Sequence, residues 1–104
     1  MVYVIWTDAA IENLRAIKDY IAQSAPEVAE RFCLEFLDAP DRLERFPRSG
    51  QVVPEFGIES VREIQFRGYR IIYQVGDGAC YIRAVMHGSR DIQRHINPSA
   101  WSPK

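Results

Sequence analysis

The chain has 104 residues, of which 47% are hydrophobic and 26% charged, so it is long enough for one small domain and too apolar to remain disordered. No apolar run approaches the roughly 20 residues needed to cross a bilayer, and Met1–Trp6 lacks the basic flank and small-residue cleavage site of a signal peptide. The formal net charge of -1 argues against a uniformly basic surface. One cytoplasmic domain over residues 1–104, without membrane association, is the expectation.

Val2 to Trp6 is apolar, β-branched and aromatic, and reads as a buried strand. Thr7 or Asp8 can cap a following helix, because a short side-chain oxygen accepts a free first-turn amide. Ile11, Leu14, Ile17 and Ile21 then recur at helical spacing, which predicts an amphipathic helix over about 8–23. Ser24 and Glu27 have capping-box spacing around Pro26, so a second helix starts there. Val28, Phe32, Phe36, Leu43 and Phe46 supply its apolar face, and Pro40 should kink or break it. Phe46-Pro47-Arg48-Ser49-Gly50 ends it with turn residues, and 51–60 reads as a loop.

Three strands are expected at about 61–67, 69–75 and 79–87, with bends at Gly68 and Gly76-Asp77-Gly78. A short helix over 89–95 and a loose tail over 97–104 follow, with Trp101 able to dock. The order is β-α-α-β-β-β, an α+β fold in which a helical hairpin covers one face of an antiparallel-rich sheet. Cys33 and Cys80 have no CxxC spacing, and His87 and His95 are too few to complete a zinc site, so both cysteines read as buried free thiols. No metal, cofactor or small-molecule ligand is expected.

Charge is uneven along the chain. Arg62, Arg67, Arg70, Arg83, Arg90 and Arg94 lie between 62 and 94 against the acids Glu63, Asp77 and Asp91. Strand alternation places Tyr69, Ile71, Tyr73 and Val75 on one face and Arg70, Ile72 and Gln74 on the other. In the last strand, Ile82, Ala84 and Met86 are expected under the helices, with Tyr81, Arg83, Val85 and His87 pointing away. Arg70, Arg83 and His87 would then share an uncovered face, with Arg70 in solvent and Arg62 snorkelling to the edge. Arginines on an open face suit phosphates or carboxylates, and a histidine beside them can transfer protons.

Four segments in register resemble the RelE/ParE toxins. These are the opening Trp6-Thr7-Asp8-Ala9-Ala10, the turn Phe46-Pro47-Arg48-Ser49-Gly50, the strand Gly68-Tyr69-Arg70-Ile71-Ile72-Tyr73, and the ending Val85-Met86-His87-Gly88-Ser89-Arg90-Asp91. Arg62-Glu63 resembles the arginine-bearing start of the family's second strand. The resemblance implies the toxin of a type II toxin–antitoxin pair, of the kind tied to plasmid stabilisation, neutralised by a cognate antitoxin that wraps it.

The two branches of that family differ in target. RelE-like members cut mRNA on the ribosome, and ParE-like members block DNA gyrase. The resemblance implies, for the cutting branch, roles for Arg70 and Arg90. However, its strand lysines fall on Glu63 and Gln65, and its C-terminal tyrosine falls near Ile96. Another nuclease pattern pairs a glutamate with a histidine, for which Glu63 and His87 are the candidates, but the tyrosine that follows that histidine is Gly88 here. The His-x-x-Arg-Asp ending resembles ParE-like chains more, with His87 in a local hydrogen bond. A gyrase inhibitor with Arg62, Arg67, Arg70, Arg83, Arg90 and Arg94 as its binding surface is the leading expectation, with the mRNA endonuclease as the alternative.

Overall fold

The computed structural model describes residues 1–101. In chain order it contains β1 (Tyr3–Trp6), α1 (Asp8–Ala22), α2 (Pro26–Asp38), a 3-10 turn (Ala39–Glu44), β2 (Gln51–Val52), β3 (Val61–Phe66), β4 (Tyr69–Val75), β5 (Ala79–His87), α3 (Ile92–His95) and a second 3-10 turn (Pro98–Ala100). The sheet order is β1-β5-β4-β3-β2. β1 runs parallel to β5, and every other pairing is antiparallel. This is the expected α+β arrangement, with β2 added inside the segment read as a loop.

Local sequence explains most boundaries. Thr7 caps α1, accepting from the Ala10 amide at 3.3 Å while its own hydroxyl donates to the Ile82 carbonyl at 2.7 Å. The expected Ser24 cap does not form. Ala25 occupies the cap position of α2 without a side-chain bond, and Pro26 supplies the first helical residue. Pro40 ends α2 as anticipated and the chain tightens into the 3-10 turn. Arg67 and Gly68 both have positive φ, 52° and 82°, which makes the β3–β4 connection a two-residue hairpin.

Two cores lie on opposite faces of the sheet. The larger sits under the helical hairpin and includes Leu14, Phe36, Leu43, Ile71, Tyr73, Ile82 and Val85. Phe32, Phe36, Phe66 and Tyr69 meet there with ring centroids 5.0 to 6.2 Å apart. Fully burying a side chain such as Phe36 contributes about 1.5–3 kcal/mol. The smaller core contains Val53, Val61, Ile72, Ala84, Met86 and Ile92, with Phe56, Ile96 and Trp101 packed against it. The face expected to be uncovered is therefore partly roofed by the 53–60 segment and the C-terminal segment. Cys80 is buried and Cys33 only half-buried, both as free thiols.

The expected parity of β5 fails at one point. Ile72 pairs with Ala84 and Tyr73 with Ile82, so Arg83 is an extra residue without a partner across the ladder. Beyond it the faces exchange. Ile82 and Val85 join the helix-side core, and Ala84 and Met86 join the other.

The Phe46–Gly50 turn is anchored from beneath. The buried Tyr73 hydroxyl donates to the Pro47 carbonyl at 2.8 Å and accepts from the Gly50 amide at 3.0 Å. A Cβ at position 50 would lie 2.6 Å from the Glu63 carbonyl oxygen and 2.7 Å from the Tyr73 ring, so only glycine fits. Gly50→Ala is expected to cost about 2 kcal/mol through overpacking. Urea denaturation checks this, and an unchanged midpoint would show that the turn relaxes freely.

Candidate functional site

Arg70 is not in solvent. It is 8% exposed, on the smaller-core face of β4, between two carboxylates. Its Nε and Nη2 donate to Glu63 at 2.6 and 3.0 Å, and its Nη1 and Nη2 donate to Glu55 at 2.9 and 2.8 Å. Glu63 comes from the neighbouring position on β3 and also accepts from Gln51 Nε2 at 3.2 Å. Glu55 arrives from the loop after β2. The guanidinium hydrogen bonds hold the Glu55 carboxyl down at about 2, and the same two carboxylates raise Arg70 further above its ordinary value. The group forms the floor of a cleft of about 620 Å³ that also takes in Gln65 and Gly68. One guanidinium is shared between two carboxylates, so its donors are taken up within the group.

Arg62 is also occupied. Its Nη1 donates to the Arg48 and Gly50 carbonyls at 3.1 and 2.8 Å, and its Nη2 pairs with Glu59 at 3.0 Å. It clamps the Phe46–Gly50 turn rather than presenting a charge at the edge. Arg48 pairs with Glu59 as well. Arg67, at the tip of the β3–β4 hairpin, pairs with Glu35 at 2.8 Å and lies over the Phe32 and Phe66 rings. It ties the hairpin to α2.

His87 lies on the helix side of the sheet, opposite Arg70 and Glu63, because the extra residue at Arg83 reverses the faces. Its ring stands edge-on to Tyr69 at 5.3 Å. Its Nδ1 accepts from the Ser89 amide at 3.2 Å and lies 2.7 Å from the Ser89 hydroxyl. His87 therefore hydrogen-bonds locally within the turn after β5.

Arg83 does face the smaller-core side. It donates to Gln74 Oε1 at 3.1 and 2.6 Å and lies 5.3 Å from each of the Tyr81 and Trp101 rings. The groups it touches among the described residues are neutral, and burial pushes its guanidinium below the ordinary value. Arg90 and Arg94 are exposed and, among the described residues, have no ion-pair partner. The six arginines thus divide into three structural ones (62, 67 and 70) and three available ones (83, 90 and 94). Glu55, Gln51 and Gln74 were not legible as partners, since nothing in local pattern marks contacts 15, 12 and 9 residues apart in the chain. Among the described residues no cluster of His, Cys, Asp or Glu could hold a metal ion.

Two stability predictions follow from this pairing. Arg70→Ala leaves Glu63 buried and unpaired and should cost about 3–5 kcal/mol, whereas Arg90→Ala and Arg94→Ala should stay within about 0.5 kcal/mol. Thermal unfolding distinguishes them, and a well-folded Arg70→Ala protein would refute the structural role. Glu55 titrates near 2 in the fold against an ordinary 4.5. Its contribution is complete above 4.5 and is lost as pH falls from there toward 2. Glu55→Gln should be less stable near neutral pH, with a shallower loss across that acid window. Parallel profiles for the two proteins would exclude the pair as a stabiliser.

Comparison with known proteins bears on the same segments. The family model for the ParE toxin of the type II toxin–antitoxin system parDE matches residues 4–92. Toxin RelE2 of Caulobacter vibrioides is 35% identical over 91 residues, covering 86% of this chain and 99% of that protein. A solved structure of the chromosomal ParDE TA system from P. aeruginosa superposes with a TM-score of 0.72 at 20% identity, covering 84% of this chain and 96% of that one. The structural likeness confirms the fold, and the family model and the curated relative establish descent: the chain belongs to the ParE toxin family, within the RelE/ParE superfamily of type II toxins that act opposite a cognate antitoxin.

Proposed function

We propose that the chain is a cytoplasmic growth inhibitor that blocks DNA gyrase without cutting a substrate, and that the cognate antitoxin releases the block. The observation that carries this reading is the separation of the nuclease candidates. Cleaving RNA through its 2′-hydroxyl requires a base, an acid and a cation converging on one phosphate. Here Arg70 and Glu63 bond to each other on one face, and Glu55 occupies the remaining donors of the guanidinium. His87 stands on the other face beside Ser89. The family model is that of the parDE toxin, which favours the same reading. Arg83, Arg90 and Arg94, together with the C-terminal segment, form the contact surface.

The relative named Toxin RelE2 keeps ribosome-dependent mRNA cleavage as the competing activity. Purified chain should inhibit gyrase supercoiling and leave ribosome-bound mRNA intact, and mRNA cleavage with unaffected supercoiling would reverse the assignment. His87→Gln should retain inhibition within about threefold, where a nuclease relying on His87 as acid or base would lose about 10²-fold or more.

A further inference from the structure

β1 is an outermost strand, with β5 on its inner side. Its register runs from Tyr3 opposite Ala79 to Trp6 opposite Ile82, and then the chain turns into α1. The Tyr3 amide donates to the Gly78 carbonyl at 3.0 Å and the Thr7 amide to the Ile82 carbonyl at 3.1 Å, so the odd positions face β5. Alternation then turns the main chain of Val2, Val4 and Trp6 outward. The Val2 amide is taken by the Glu44 carbonyl at 2.9 Å. Among the described residues, no main-chain group outside the ladder bonds to Val4 or Trp6.

Side chains along β1 divide in the same way. Val2, Val4 and Trp6 pack against the core under the hairpin. Tyr3 and Ile5 point to the other face, outside the smaller core, and are 78% and 41% exposed. Met1 and Phe46 are exposed as well, at the end where Val2 meets Glu44. Open strand edges are ordinarily blunted by lysine, proline or a bulge. Tyr3-Val4-Ile5-Trp6 carries no charge and no proline, and its register is unbroken. An apolar edge of this kind invites another strand.

We infer that β1 pairs antiparallel with β1 of a second copy of this chain, about a two-fold axis at Ile5. The edge is its own complement, as a two-fold interface requires. Register narrows to one choice. Centring the pair on Val4 would need the Val2 amide, which Glu44 holds. Centring it on Trp6 would set Val4 against Asp8, which is already helical. Centred on Ile5, Val4 of each copy lies opposite Trp6 of the other, and both free positions exchange N–H and C=O. Ile5 then meets Ile5 as a non-hydrogen-bonded pair, with Cα atoms about 4.5 Å apart, and Tyr3 meets Thr7 on the same face. Charge agrees with the antiparallel sense. Arg45 follows Glu44 at the start of β1 and Asp8 lies at its end, each exposed and without an ion-pair partner among the described residues. Antiparallel pairing sets the Arg45 end of one copy beside the Asp8 end of the other. The formal net charge of -1 leaves little repulsion between copies. This pairing goes beyond the gyrase reading and does not depend on it.

Sedimentation equilibrium of the full chain tests it. The chain should pass from monomer to dimer as concentration rises. Ile5→Lys sets like charges opposite each other and should raise the dissociation constant at least tenfold. Tyr3→Lys, at the more exposed position, should act in the same direction and serves where Ile5→Lys fails to fold. Ile5→Cys should form an oxidised dimer, because the closely spaced pair suits a disulfide. Tyr20→Cys, exposed on α1, should not, and neither should the wild type through Cys33 or Cys80. A monomer at every concentration overturns the second copy. So does a monomer whose Val4 and Trp6 amides slow in hydrogen exchange only when gyrase is added, which gives the edge to the target. A dimer indifferent to both lysine variants, or one that fails to crosslink through Ile5→Cys, overturns the pairing at β1. A supercoiling assay on the same preparations reports separately on the target.

Discussion

Between Ile72 and Tyr73 the β4–β5 ladder slips by one residue, and Arg83 is taken up without a partner. Strand side chains alternate strictly, so a single inserted residue exchanges the faces for everything beyond it. Ile82 and Val85 can both reach the core under the hairpin, and Ala84 and Met86 can both reach the smaller core. A regular β5 would have left one of these pairs in the wrong environment. The same slip carries His87 to the helix side and leaves Arg83 on the other, beside Trp101. Where the chemistry-bearing groups end up is thus a packing outcome, forced by apolar residues on both sides of the irregularity.

The consequence for the arginines is a matter of burial. A guanidinium under a roof of loop and C-terminal segment is costly to desolvate unless carboxylates meet it. Arg70 faces Glu63 across the sheet and Glu55 from the loop, so its charge is compensated and its donors are occupied. Arg62 solves the same problem with carbonyls of the Phe46–Gly50 turn. Both are motif positions in the sequence, and both hold the fold together. The Tyr73 hydroxyl and Gly50 contribute to the same anchor, which explains the sequence of that turn in steric terms.

Much of the architecture was readable in one dimension. Helical spacing from Ile11 to Ile21, Pro26 at a helix start, Pro40 at its end and the glycine bends between strands all act locally, through dihedral preference and periodicity. The Ser24 cap misled because Pro26 sets the first helical residue and leaves Ala25 at the boundary. The faces of β5 were not readable. Arg83-Ala84-Val85-Met86-His87 fits either parity, and only the need to fill two cores decides it. Glu55 gave no signal at all, as an acid in a loop looks the same whether it meets solvent or a buried arginine. For that reason the family was legible and the disposition of its site was not.

Arg70 and Arg83 make the contrast concrete. Both project from the same face of adjacent strands, and both are shielded from water. One has carboxylates supplied by its own chain, and among the described residues the other meets an amide oxygen and two aromatic rings. Rings and a neutral acceptor offset part of the cost of burying a cation, but they leave its charge unmatched. That unmatched charge sits beside an edge of β5 from which β1 has already turned away. An arginine motif read by residue type alone would give these two positions equal weight. Their surroundings assign the first to stability and leave the second, with Arg90, as the charge a partner can still meet.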